Sequence, residues 1–270
     1  MRPLSALGAT EASRLRGVVF DLDDTLLTHG ELTLEAYRAL FRLRDAGLRL
    51  YACTGRPAGW AAVVARQWPV DACLAENGAI AFARAGRGVE RLLRLSEPER
   101  LAERARLCAL ARELEAAHPE LVPTDDAFMR LCDVTYDIGE RASVPATVLA
   151  AVRRDAGALG LRTYASTIHL HLTLSGDDKA SGTLWLLARR HGEDSTGALA
   201  RYAFVGDSEN DAPCFAAFHT TIGVANVVAS ARRLSVPPRY LAPAAMGAGF
   251  AAIADHLAAE RLRPALGGAA

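Results

Sequence analysis

The sequence predicts an α/β fold: a doubly wound, mostly parallel, Rossmann-like sheet with an α+β cap domain inserted into it. Three observations carry that prediction. Short apolar runs alternate with segments of helical period through residues 17–83, as strands buried on both faces by crossover helices do. The alternation breaks near residue 84 and resumes after Ser175-Gly176-Asp177. Four of the predicted strand–helix junctions carry acidic or polar side chains, at the sheet edge where open α/β folds bind ligands. The expected division is a core over residues 1–83, an inserted cap over 84–175 and a returning core over 176–270.

Taken in order, Met1–Gly17 reads as a loose lead-in without the apolar stretch of a secretory signal. Gly17-Val18-Val19-Phe20 is a buried strand that breaks into Asp21-Leu22-Asp23-Asp24-Thr25. Thr33 can cap a helix through Leu34, Tyr37, Leu40, Phe41 and Leu43, which Gly47 ends. Leu48–Cys53 is a second strand, stopped at Thr54-Gly55-Arg56-Pro57, and Pro57 suits the first turn of a helix over Ala58–Trp68. Ala72–Ala75 is a third strand, and the turn Glu76-Asn77-Gly78 leads into a fourth at Ala79–Ala83.

The insertion is expected to hold a strand at Val89–Leu95, a long helix at Glu97–Ala117, a strand within Ala127–Ile138, a helix at Pro145–Gly157 and the alternating run Leu161–Leu174. The Arg/Glu pattern of the long helix needs no function, because charges at i,i+4 are usual on a solvated face. The returning core reads as helix 180–191, strand Tyr202–Val205, helix Glu209–Phe218, strand Thr220–Val224, helix Val227–Leu234, a short strand Tyr240–Leu241 and helix Gly249–Arg261. The tail Pro264–Ala270 is expected to fray.

Composition excludes several function classes. The 31 basic residues balance 31 acidic ones, and no basic stripe with interleaved aromatics suggests nucleic acid or a membrane surface. No apolar stretch reaches the ~18–20 residues of a membrane-spanning helix. Five scattered cysteines form no C-x-x-C pair, which points to reduced thiols in a cytoplasmic protein. Oligomeric state leaves no signature.

The basic residues are arginine thirty times and lysine once, at Lys179. A compact ammonium on a flexible stem suits a single oxygen in a tight pocket, where the flat guanidinium fork does not fit. Asp21-Leu22-Asp23, Thr54-Gly55-Arg56, Lys179 and Gly206-Asp207-Ser208-Glu209-Asn210-Asp211 all fall at the same edge of the predicted sheet. Carboxylates gathered that closely stay ionised only beside a cation. Hard oxygen donors favour Mg²⁺, which keeps coordination positions for a substrate phosphate. Alternate residues leave a strand on one side, so Asp21 can attack while Asp23 handles a proton. Lys179 would offset phosphoryl charge, and the Thr54 hydroxyl and Gly55 would position the phosphate.

These segments together resemble the haloacid dehalogenase superfamily. Val18-Val19-Phe20-Asp21-Leu22-Asp23-Asp24-Thr25-Leu26 is similar to its first motif, Thr54 to its second, Lys179 to its third and Gly206–Asp211 to its fourth. The resemblance implies a Mg²⁺-dependent phosphatase with Asp21 as nucleophile and Asp23 as general acid/base. It further implies a metal held by Asp21, Asp207 and the main-chain carbonyl of Asp23, with Asp211 and Asn210 supporting it. Asp24 departs from the usual glycine and is expected to be a turn residue. Dehalogenases lack the acid/base aspartate, so Asp23 argues for phosphate chemistry.

Asp21 and Thr54 stand 33 positions apart, whereas Thr54 and Lys179 stand 125 apart. A cap in the second interval, together with Glu76-Asn77-Gly78, resembles the branch of mannosyl-3-phosphoglycerate, sucrose-phosphate and sugar-phosphate phosphatases. The expected substrate is a small phosphorylated metabolite, either a sugar phosphate or a glycosyl phosphoglycerate. Phosphotransferase or phosphomutase activity, and a non-catalytic phospho-ligand module, are the alternatives. Arg56, Glu76, Asn77, His169 and His171 are candidates for substrate contact. For Arg56 a bridge to a core carboxylate is the favoured reading, and for the two histidines, with Thr167 and Thr173, the polar face of a half-buried strand. Arg130, Asp133 and Asp137 are open in the same way.

Overall fold

A computed structural model describes residues 1–166 and 168–263; Thr167 and the tail 264–270 lie outside the described residues. Thirteen strands are present among these: β1 (Arg2–Pro3), β2 (Gly17–Phe20), β3 (Arg49–Cys53), β4 (Ala72–Ala75), β5 (Ile80–Ala85), β6 (Gly88–Leu93), β7 (Val122–Pro123), β8 (Val134–Asp137), β9 (Arg162–Ala165), β10 (His169–Thr173), β11 (Tyr202–Gly206), β12 (Thr220–Gly223) and β13 (Tyr240–Leu241). Nine form one sheet in the order β1-β13-β12-β11-β2-β3-β4-β5-β6. Every pairing from β1 through β4 is parallel, and β5 and β6 close the far edge antiparallel. The order reverses between β2 and β11, so a crevice opens there beyond the strands' carboxyl ends.

Both faces of this sheet are covered, and the side-chain alternation of each strand shows it. Val18, Phe20, Leu50, Ala52, Ala203 and Val205 enter one core with the helices Leu34–Asp45, Ala58–Gln67 and Met246–Leu262. Val19, Tyr51, Cys53, Tyr202 and Phe204 enter the other, with Lys179–His191, Ser195–Arg201 and Ala212–Ala217. The period of two therefore sends alternate residues into separate cores.

A second, antiparallel sheet runs β7-β8-β10-β9. It packs on Glu97–Ala117 and Ala146–Ala158 through Leu107, Leu114, Tyr136, Val152, Leu170 and Leu172. The run Leu161–Leu174 is thus a hairpin of two strands. Strand β6, which the change of texture at residue 84 assigned to the insertion, pairs with β5 at the edge of the large sheet.

The strand expected within Ala127–Ile138 is confined to Val134–Asp137, and two other segments hold elements that the sequence did not suggest. The lead-in Met1–Gly17 contains strand β1, paired with β13, and a helix at Ala9–Arg14 whose Ala12 is buried. Ser195–Arg201 is a further helix, capped by Asp194 accepting from the Gly197 amide. Both are too short for a period to register in sequence. Among the described residues no helix is long and apolar enough to cross a membrane. All five cysteines are free, with Cys53, Cys73 and Cys214 buried.

Candidate active site

Strand β2 ends at Phe20, and the next residue, Asp21, is only 4% exposed. Its amide donates to the Val205 carbonyl at 2.9 Å, so the β11 ladder fixes its backbone. The chain then folds through a tight irregular turn over Leu22–Leu26, closed by the Leu27 amide on the Leu22 carbonyl at 2.8 Å. Within it Asp24 sits at φ +54°. That left-handed conformation favours glycine, and aspartate is one of the few residues that tolerate it. Asp24 is thus the turn residue expected.

Lys179 opens the helix Lys179–His191, whose start is fixed by the Asp178 carboxylate accepting from the Ser181 amide at 2.7 Å. The helix is pressed against the turn after β4. A Cβ on Gly182 would stand 2.6 Å from the Gly78 Cα, so only glycine allows this approach. The side chain of Lys179 is completely buried. Its Nζ lies 2.9 Å from Asp21 Oδ1 and 2.7 Å from Asp211 Oδ1.

The fourth segment follows β11. Asp211 Oδ2 accepts from the amides of Asp207 at 2.8 Å and Ser208 at 3.1 Å. Both of its oxygens are therefore committed. Asp207 Oδ1 accepts from the Thr25 hydroxyl at 2.9 Å and Oδ2 from Asn226 Nδ2 at 3.0 Å. Carboxylate oxygens of Asp21, Asp207 and Asp211 all lie within 4.8 Å of one another, and all three residues are buried.

One ammonium faces these three carboxylates, and the electrostatics show the imbalance. Burial drives the Asp21 carboxyl up to about 7; Lys179 opposes that shift, while Asp211 and Asp23 add to it. Asp207 is pushed well above the usual carboxylate range by burial, then by Asp211 and Asp21. Burial alone would lower Lys179, but Asp21 and Asp211 together hold it above its ordinary value. The donor set, buried hard oxygens with a surplus of negative charge, fits a divalent cation such as Mg²⁺.

Asp23 lies beside this cluster, its carboxylate gripped by Arg56 Nε at 2.9 and 3.0 Å and by Nη2 at 2.6 Å. Arg56 in turn stacks over Trp60, 4.4 Å from the ring centroid. Thr54 is fully buried, and its hydroxyl accepts from the Arg56 amide at 3.0 Å, leaving its own proton to donate. Asp21, Asp23, Gly55, Arg56, His169, His171 and Asn210 line one narrow crevice between the two sheets.

Other candidates have different surroundings. Glu76 is fully engaged by the backbone: it accepts from the amides of Ala58, Leu131, Cys132 and Asp133 at 2.5–3.1 Å. It ties the cap's loop to the core and offers no free oxygen to a substrate. The Asn210 side chain hydrogen-bonds beside the acidic trio: its Nδ2 donates to Asn77 Oδ1 at 3.1 Å and its Oδ1 accepts from Ser208 at 2.8 Å. Asn77 Nδ2 is buried without an acceptor among the described residues. Asp137 accepts from the amides of Gly139, Glu140, Arg141 and Ala142 and serves its own turn.

His171 reaches from β10 onto the second segment. A Cβ on Gly55 would meet its Nε2 at 2.9 Å, which explains the glycine. Its Nδ1 lies 3.0 Å from both Asp133 Oδ2 and Thr135 Oγ1. Arg130 donates to Asp133 at 2.9 Å and to the Gly55 carbonyl at 3.0 Å, joining the same network. Burial lowers His171 to about 4 against the opposing pull of Asp133. Between about pH 4 and pH 6.5 the unfolded chain therefore binds a proton that the folded one does not, and stability rises with pH. We expect a His171→Gln variant to lose a slope on the order of 1 kcal/mol per pH unit in that window. Urea unfolding at several pH values would show it; parallel slopes would reject the assignment.

Asn226, which also donates to the Asp24 carbonyl at 2.9 Å, was missed in the sequence reading, as was Thr25's hydroxyl as a partner of Asp207. Asn226 follows β12 by three residues, so the rule placing ligands beyond strand ends could have flagged it.

Known proteins share the fold that carries this site. Residues 18–93 match the family model described as haloacid dehalogenase-like hydrolase. A search of curated proteins returns no match. A Thermoplasma acidophilum protein has a similar structure, with TM-score 0.67 and 17% identity over 90% of this chain and 98% of that one. Sucrose-phosphatase from Synechocystis sp. gives 0.63 and 15% over 90% and 98%. A phosphatase of the haloalkanoate enzyme superfamily from Bacteroides thetaiotaomicron gives 0.63 and 21% over 91% and 96%. At these identities the likeness is one of fold. Residues 18–93, which span the first motif, are thus similar to the haloacid dehalogenase-like hydrolases, and the chain shares the fold of these structures over nine-tenths of its length.

Proposed function

We propose that the protein is a phosphatase acting on a small phosphomonoester, a sugar phosphate or glycosyl phosphoglycerate, through a phosphoryl group carried on Asp21. One observation carries this reading. A buried carboxylate nucleophile, bridged by a buried ammonium to a second carboxylate, stands beside an independently held carboxylate, Asp23, in a crevice roofed by the cap. A module that only bound phosphate would gain nothing from burying three carboxylates around the site, since they repel the ligand.

The chain's own groups divide the work. An Asp21 oxygen attacks phosphorus, and the ester oxygen departs with a proton from Asp23. Water then attacks the phosphoryl group on Asp21, giving its proton to Asp23 and restoring both carboxyl groups. Arg56 holds Asp23 in a fixed orientation, and Lys179 offsets charge on Asp21. Asp21 and Asp207, with the Asp23 carbonyl that the resemblance adds, would hold Mg²⁺, which when bound supplies further positive charge against the phosphoryl oxygens.

Phosphate release from p-nitrophenyl phosphate with Mg²⁺, abolished by EDTA, is the direct test. Silence in both conditions would reject the phosphatase, and transfer of label to a sugar acceptor in place of water would make it a phosphotransferase. The role of Asp23 has its own signature. Asp23→Asn should lose about 10²–10⁴-fold on sugar phosphates, whose alkoxide leaving group needs a proton, and distinctly less on p-nitrophenyl phosphate. Equal losses on both would remove Asp23 as the acid.

A further inference from the structure

The crevice over Asp21 adjoins an outer vestibule of about 330 Å³, and the two share Asp23, Arg56, Ile168 and His169. The core contributes Trp60 to the vestibule wall, while Asp125, Asp126, Phe128 and Glu140 come from loops flanking the cap's sheet.

Two features define its chemistry. The first is aromatic. Phe128 is 83% exposed, although the short turn that carries it is pinned on both sides. Met129 packs against Gly59, where a Cβ would meet its sulfur at 2.9 Å, and Arg130 is buried on Asp133. The turn is thus fixed and presents the ring to solvent, and Trp60, 38% exposed and stacked under Arg56, lines the same vestibule as a second aromatic wall.

The second feature is charge. Asp23, Asp125, Asp126 and Glu140 line the vestibule with one guanidinium, Arg56, while Arg130 and Arg141 reach these carboxylates from outside the lining. Arg56 is spent on Asp23 and Arg141 on Asp125, while Arg130 is divided between Asp126 and Asp133. Glu140 faces His169 at 3.1 Å. The surplus is negative, and the carboxylates can accept from hydroxyl or ammonium groups.

We propose that this vestibule is the leaving-group subsite, and that it selects hydroxyl-rich leaving groups that are uncharged or carry an amine and rejects those with a second anion. The inference rests on the phosphatase reading and narrows it: a plain sugar phosphate fits, whereas a glycosyl phosphoglycerate would bring its carboxylate into a negative field. Carbon–hydrogen faces of the leaving group stack on Phe128, and its hydroxyls donate to Glu140 and Asp126.

The test compares glucitol 6-phosphate with 6-phosphogluconate, which differ only in a terminal hydroxymethyl against a carboxylate. Each is assayed with Mg²⁺ as a substrate and as an inhibitor of p-nitrophenyl phosphate hydrolysis. We expect glucitol 6-phosphate to be favoured at least ~10-fold at low ionic strength, with the gap closing as salt is added. Glu140→Gln, an exposed substitution, should narrow the gap about threefold or more, and Phe128→Ala should raise KM for glucitol 6-phosphate more than it lowers kcat. Equal handling of the two esters, no inhibition by either, or a gap indifferent to Glu140→Gln overturns the subsite while p-nitrophenyl phosphate hydrolysis still stands. Absence of phosphate release from every ester overturns the phosphatase reading and this inference together.

Discussion

Asp21→Asn is expected to lower phosphate release from every ester by at least ~10³-fold, because the amide cannot carry the phosphoryl group. The substitution is nearly isosteric and the site is closed, so the fold should persist. Its effect on stability should even be favourable without metal. Asp21 belongs to a trio of carboxylates whose oxygens lie within 4.8 Å of one another, with one ammonium among them. Removing one negative charge relieves repulsion while Lys179 keeps Asp211.

The pH dependence carries the same signature. The folded Asp21 carboxyl is held at about 7 against an ordinary 3.8. Between those values the folded protein binds a proton that the unfolded chain releases, so stability falls as pH rises through the window. In EDTA, Asp21→Asn should flatten that fall relative to wild type. On the proposed reading the folded carboxylates hold Mg²⁺, so the ion should raise the melting temperature of wild type more than that of the variant. Wild-type turnover in the variant would refute the nucleophile, and equal Mg²⁺ stabilisation of both proteins would remove Asp21 from the metal site.

Lys179 should tolerate no replacement. Lys179→Met leaves Asp21, Asp207 and Asp211 buried without a cation, and breaking a buried pair in this way costs about 3–5 kcal/mol. We expect the urea midpoint to fall accordingly in EDTA and to recover in part with Mg²⁺. Lys179→Arg keeps the charge, but the side chain is wholly enclosed and its Nζ bridges two carboxylates at 2.9 and 2.7 Å. A larger planar fork cannot place one donor at that point. Loss of one such preorganised donor is worth about 10²–10³ in rate. An arginine variant within twofold of wild type would contradict this account.

Much of this site was legible before any coordinates. The strands Gly17–Phe20 and Ala72–Ala75 and the helix Glu97–Ala117 have the limits their apolar patterns suggested. A buried strand must be apolar until it reaches the sheet's edge, so the residues that follow it declare themselves by polarity. The single lysine among thirty arginines marked a position where a compact charge was needed, and the acidic segments stood at matching strand ends.

Less was legible wherever a residue's role depends on a partner far along the chain. Glu76 looked like a substrate contact, yet it is consumed by amides of residues 131–133. Arg56 has two sequence readings, and the structure places it in a bidentate grip on Asp23 at the wall of the crevice. Strand β1 is two residues long and exists only through its pairing with β13, more than two hundred residues away.

By itself, then, the sequence determined the doubly wound sheet and the acidic and basic side chains gathered at its edge, because these rest on local periodicity and composition. The tertiary structure alone decided that Asp211 is spent on Lys179 and two amides, that Asn226 and Thr25 hold Asp207, and that Phe128 and Glu140 face the mouth of the crevice. Those outcomes turn on hydrogen-bond partners and close approaches between segments distant in sequence, and no local pattern encodes a distance across the fold.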